Sequence, residues 1–146
     1  MLLKLQNFNL KKSSIFTAFY IPKNNFIMTK IYHLKTCGTC QKILKSLPEN
    51  ITFELQEIKA NPIKASELDD LAKRTGSYES LFNKRSKLYK EMGLKDANLT
   101  EKDYRQYILE NYTMLNRPVI VTQTEVFAGN SPKTVQKALV HLQHES

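Results

Sequence analysis

Cys37 and Cys40, separated by Gly38 and Thr39, are the only cysteines in this chain of 146 residues. They stand between a β-type run, residues 29–34, and a helical pattern, residues 41–47. Two thiols at this spacing can close a disulfide on each other. The first lies where a helix begins, and there unpaired backbone N–H groups and the helix dipole favour a thiolate. Thiolate is the reactive species, so the arrangement points to redox or nucleophilic chemistry at Cys37. Cys40, Ile43, Leu44 and Leu47 recur at helical intervals and mark one apolar face. Cys40 is therefore expected to point inward and Cys37 outward, a pairing that suits a resolving and an attacking thiol. Two other uses of such a pair are inert burial and half of a structural zinc site. Zinc needs four ligands, and the chain offers no second cysteine pair and only His33, His141 and His144. No resident metal or bound cofactor is expected.

A second motif belongs with the thiols. Arg117-Pro118 precedes a strand-like run, and proline is tolerated at a strand's first residue. X-Pro is also the peptide bond that most readily adopts the cis form. Arg117 is a permanent cation able to bind an oxyanion or hold Cys37 as thiolate. His33, four residues before Cys37, is a candidate to lower that thiol's pKa or relay a proton.

The elements that must position these groups follow from periodicity. After the first strand and helix, residues 51–58 alternate apolar and polar as a second strand, joined through the helix and hence parallel to the first. Asn61-Pro62 turns the chain, and Ser66 with Asp69 resembles a capping box for a helix that Gly76 stops. Short helical pieces fill residues 77–99. Thr100 and Asp103 cap a further helix whose Tyr104, Tyr107, Ile108 and Tyr112 read as a packing face. Residues 118–122 and 125–128 form a hairpin across Gln123-Thr124. A last helix starts at Ser131-Pro132 and buries Val135, Ala138, Leu139 and Leu142. The layout is α/β and thioredoxin-like: a four-stranded mixed sheet flanked by helices, with a helical insert between strands 2 and 3.

Composition sets outer bounds. Residues 28–146 are enough for one domain with a sizeable core. The net charge of +8 hints at nucleic acid, but Lys4, Lys11, Lys12 and Lys23 supply half of it within an acid-free stretch, residues 1–27. Elsewhere only Lys84-Arg85-Ser86-Lys87 is clustered, and a solvated face accounts for it, so direct nucleic-acid binding is not expected. No apolar stretch approaches the roughly 18 residues that span a membrane. Two cysteines are too few for a secreted disulfide scaffold, so a reducing cytoplasm is the expected location. Residues 1–27 are a poor signal peptide, with a short apolar piece and no small-x-small site. The preferred reading is that Met28 is the biological start. The preceding stretch is then disordered, or foreign to the native product.

Five segments carry a family likeness: Ile31-Tyr-His33 leading to Cys37-Gly-Thr39, Asn61-Pro62, residues 81–85, residues 89–96, and residues 115–120. Together they resemble the glutaredoxin-linked arsenate reductase family, which also contains the Spx-type redox regulators of transcription. The resemblance spans about residues 29–142. It implies a thioredoxin-like fold, Cys37 as nucleophile and Arg117 beside a cis-proline, Pro118. Gly38, Thr39, Pro118, Arg85 and His33 are the expected substrate-side residues. It implies glutathione as co-substrate, and glutaredoxin with glutathione, or thioredoxin, as reductant. Two departures stand out. The family's reductases carry two further arginines: one falls where this chain has Asn83, although Arg85 is close by, and the other falls after the hairpin, where Ala128-Gly129-Asn130 offers no cation. They also usually lack a cysteine at the position of Cys40. The leading expectation is a cytoplasmic thiol oxidoreductase in which Cys37 attacks arsenate, a disulfide or a glutathione adduct and Cys40 resolves. The alternative is an Spx-like regulator whose Cys37–Cys40 disulfide alters its affinity for RNA polymerase.

Overall fold

The computed structural model describes residues 29–145; the readings of residues 1–27 and of Met28 lie outside them. Strand β1 (Thr29–His33) runs into helix α1 (Gly38–Lys45), which returns the chain to β2 (Phe53–Glu57). β2 pairs parallel with β1, as a helical crossover requires. The insert follows: α2 (Ala65–Thr75), α3 (Lys87–Glu91) and α4 (Glu101–Glu110), interleaved with single 3₁₀ turns at Glu79–Leu81, Leu94–Asp96 and Tyr112–Met114. Strands β3 (Val119–Val121) and β4 (Val126–Ala128) form the hairpin, and α5 (Pro132–Glu145) closes the fold. The sheet order is β2-β1-β3-β4, with β3 antiparallel to both neighbours. This is the thioredoxin-like mixed sheet the sequence predicts.

Each sheet face carries its own apolar layer. Tyr32, Ile58, Leu68, Leu81, Ile108 and Val119 belong to the larger one, under the insert. Ile31, Ile43, Ile120, Ala138 and Leu142 form the smaller one, under α1 and α5. Tyr104 and Tyr107 of α4 pack as expected, the Tyr104 ring 4.9 Å from that of Phe82, whereas Tyr112 reaches the same layer from the 3₁₀ turn beyond the helix. Val135 packs on the smaller layer from its margin, whereas Leu139 is only half-buried, so α5 is anchored chiefly by Ala138 and Leu142.

Two expectations are corrected. The α2 cap lies two residues earlier than Ser66: the Glu67 carboxylate accepts the Lys64 N–H at 2.9 Å, and Ser66 sits inside the first turn. In β2 the burial pattern differs from simple alternation. Leu55 is 54% exposed while Gln56 is buried, its side-chain amide donating to the Asn61 carbonyl at 2.9 Å. β2 is an edge strand, and the α1–α5 layer reaches Phe53 but not Leu55.

The Thr100 cap holds as read. Its hydroxyl accepts the Asp103 N–H at 3.3 Å, and the Asp103 carboxylate accepts the Thr100 N–H at 2.7 Å. Thr100→Ala is expected to cost about 1 kcal/mol in a urea melt, with an unchanged denaturant slope.

Candidate active site

Cys37 is the N-cap of α1, in extended conformation. Its own N–H donates to the Leu34 carbonyl at 3.1 Å, which fixes the bend out of β1. Its sulfur then accepts the Cys40 N–H at 3.4 Å, taking the place an oxygen side chain fills at an ordinary cap. No acidic residue occupies the first turn of α1, so nothing there opposes a negative charge. Gly38 and Thr39 form the exposed rim of that turn.

The facing wall comes from the insert and the start of β3. Phe82 and Leu115 form an isolated antiparallel bridge, flanked by Asn83 N–H to Met114 carbonyl and Asn116 N–H to Leu81 carbonyl, both at 2.7 Å. That bridge brings Asn83 and Arg85 beside Asn116 and Arg117, residues 31 to 34 positions apart in sequence. The Thr113 carbonyl accepts from both the Asn83 amide (3.1 Å) and Arg117 Nη1 (3.2 Å). The Arg117-Pro118 peptide bond is cis, and Pro118 is buried beneath the site rather than lining it. Gly129 takes φ +104°, a left-handed turn that suits glycine, and leads Asn130 to the same place.

Together Cys37, Asn83, Arg85, Asn116, Arg117 and Asn130 line a cavity of about 240 Å³. Burial pushes the Cys37 thiol up, but the Cys40 N–H and the Arg117 guanidinium outweigh it and hold the thiol below its ordinary range. Cys40 is fully buried, and burial together with the neighbouring Cys37 pushes it to about 12. Arg117 Nε is buried and has no partner among the described residues. A guanidinium oriented by the Thr113 carbonyl and turned to the Cys37 sulfur, with a further N–H unsatisfied, is suited to receive an anion.

The structure therefore brings together Cys37, Cys40, Arg117 and Arg85, and sets His33 apart. His33 shares the Ile31 side of β1, whereas Cys37 packs with the layer under Tyr32 and Leu34. Its ring is buried, which pushes its pKa below the usual value, and Nδ1 has no partner among the described residues. Asn116 is the residue that sequence reading passed over; its place next to Arg117-Pro118 is the one signal that marks it. Asn83 and Asn130, read only as missing cations, in fact hold Arg85. Asn83 Oδ1 accepts the Arg85 N–H at 3.1 Å, and Asn130 Oδ1 accepts Arg85 Nη2 at 2.5 Å. Asn130→Ala frees that guanidinium. The expected result is a KM for an anionic substrate raised about fivefold, the loss of one hydrogen bond to a charged group, with kcat nearly unchanged.

A thiol at a helix N-cap, a buried second thiol and a cis-proline stand together on a thioredoxin-like sheet, an arrangement suited to thiol chemistry. The chain belongs to the ArsC family, whose profile matches residues 32–138. It is 32% identical over 109 residues to the uncharacterised protein YfgD of Escherichia coli strain K12, covering 73% of this chain and 92% of that one. It is 25% identical to the global transcriptional regulator Spx 2 of Bacillus anthracis (77% and 87% covered). It is 26% identical to an arsenate reductase of Neisseria meningitidis (75% and 97% covered). Among solved structures, an ArsC family related protein from Bacteroides fragilis superposes with a TM-score of 0.66 at 28% identity, covering 77% and 98%.

Proposed function

We propose that this protein is a thiol-dependent oxidoreductase in which Cys37 is the nucleophile, Cys40 the resolving thiol and Arg117 the anion-binding cation. The observation that carries the reading is the opposed treatment of two neighbouring thiols: the Cys37 pKa is lowered beside a guanidinium, and that of Cys40 is pushed up to about 12 behind it.

With a disulfide substrate, the Cys37 thiolate forms a bond to one sulfur and the other leaves as a thiolate. Cys40 then loses its proton, attacks Cys37 Sγ and expels the bound group as a second thiolate. Two electrons pass to the substrate and a Cys37–Cys40 disulfide remains, to be reset by glutathione with glutaredoxin or by thioredoxin. With arsenate, Cys37 displaces a hydroxide from As(V). Attack of the second thiol on the sulfur then leaves the electron pair on arsenic, which departs as arsenite. The timing of Cys40 follows from its surroundings. The negative charge of Cys37 is one cause of its high pKa, and that charge vanishes once Cys37 is bonded to substrate. Cys40 becomes a better nucleophile only when there is something to resolve.

NADPH consumption coupled through glutathione reductase, glutathione and glutaredoxin tests this, with arsenate or a glutathione mixed disulfide as substrate. Sustained turnover above that of Cys37→Ser on either substrate, here or with thioredoxin and its reductase as the coupling system, supports the proposal; none above it with both systems overturns it. Cys40→Ser is expected to complete the first attack and stop, leaving an adduct on Cys37 detectable by intact mass. A resolving external thiol would restore part of the rate.

The relative named Spx 2 supports a second reading, a redox switch. The same disulfide would alter binding to RNA polymerase instead of turning over. Retention of RNA polymerase by the oxidised but not the reduced protein, without turnover, distinguishes it.

A further inference from the structure

On the far side of the hairpin from β1, β4 is the edge of the sheet. The Thr122 N–H donates to the Glu125 carbonyl and the Gly129 N–H to the Pro118 carbonyl, each at 2.9 Å. The antiparallel ladder alternates, so Glu125, Phe127 and Gly129 turn their backbone toward β3, and Val126 and Ala128 turn theirs outward. No described residue pairs with those outward groups. They form the floor of a groove of about 820 Å³ walled by the end of α2 and by α5. Arg74 closes the hairpin end, its Nη2 donating to the carbonyls of Thr122 (2.6 Å) and Glu125 (3.2 Å).

The walls say what fits. Arg74 stands on one side and Lys137, without a partner among the described residues, on the other; Glu125 is the only acidic side chain lining the groove. Val140, 41% exposed, adds an apolar contact between them. An open strand edge calls for another extended backbone, and two cations with one acid call for carboxylates on it. The groove is linked to the Cys37 cavity by two asparagines. The Ser80 carbonyl in its wall accepts the Asn116 amide at 3.2 Å, and β4 itself leads through Gly129 to Asn130; both asparagines line the Cys37 cavity.

We propose that the β4 edge is a docking site for an extended acidic segment of a protein partner, added as a fifth strand on Val126 and Ala128. A second copy of this chain would bring the same cations against themselves. The docking does not depend on what Cys37 attacks, so the test holds whichever chemistry is found there.

The probe is a capped heptapeptide of alternating glutamate and valine, titrated into the full-length, isotopically labelled Cys37→Ser protein and followed by amide resonances. The amides of Val126 and Ala128 are expected to shift and to exchange more slowly. Replacing glutamate by lysine is expected to weaken binding about tenfold or more, and Lys137→Glu to weaken the acidic peptide about fivefold. Three results overturn the proposal. One is the absence of shifts at those two amides with about 1 mM peptide. Another is equal affinity for the lysine peptide. The third is slow exchange of both amides in the free protein, which would mean that residues 1–28 or a second copy already fill the edge.

Discussion

Cys37→Ser is expected to lower turnover by about 10³-fold or more on every substrate the protein accepts, while leaving its thermal unfolding almost unchanged. Serine is a far weaker nucleophile at neutral pH, and no other described thiol can substitute, because Cys40 is fully buried and held near 12. The fold should tolerate the change, since a serine oxygen at an N-cap accepts the Cys40 N–H at least as well as sulfur does. Loss of turnover together with loss of folding would instead make Cys37 structural. Retained turnover would remove it from the chemistry.

Arg117→Gln should have the next largest effect, and it has a signature of its own. Arg117 lowers the Cys37 pKa by hydrogen bonding and by charge. Without it, burial is opposed only by the N–H and the thiol of Cys40, so the thiol pKa rises. In the native protein, alkylation of Cys37 by iodoacetamide is expected to increase with pH and to level off below the ordinary thiol range. In Arg117→Gln the same curve moves to higher pH, and the rate near neutrality falls. The kcat/KM for an anionic substrate should fall by about 10²-fold, the scale of removing one charge-assisted contact to developing negative charge. Arg117→Lys separates charge from geometry. It should restore much of the alkylation profile but little of kcat/KM, because an ammonium cannot reproduce the guanidinium fork that Thr113 orients.

What could be read before the fold was known depended on distance along the chain. The orientation of the two thiols is a local property: the interval from Cys40 to Ile43 and Leu47 puts Cys40 on the buried face, where the structure has it. The crossover, the hairpin and the Thr100 cap are local too, and each formed, although the crossover helix spans Gly38–Lys45 instead of residues 41–47, since Cys37 caps it three residues earlier. The α2 start was misjudged because the Ser66–Asp69 pair fits the capping rule as well as Glu67 does. Only the backbone decides that Glu67 turns back to Lys64. The burial of Gln56 and exposure of Leu55 depend on which strand ends up at the sheet edge, a fact of topology rather than alternation. The cavity was the least legible part. Asn83, Asn116 and Asn130 come from three separate stretches, and the Phe82–Leu115 bridge that gathers the first two has no short-range signal. The sequence marks asparagines where cations were expected; it does not mark that two of them grip Arg85.

The complete burial of Cys40 makes the protein its own gauge of breathing. In the Cys37→Ser variant a bulky thiol reagent has one target, and no path to it while α1 rests on the sheet. Its labelling rate then reports how often that layer lifts. Compared with the rate in denaturant, it yields the free energy of opening for this corner alone. A change that tightened the layer would slow the label without any assay of function, and one that loosened it would announce itself in the same trace.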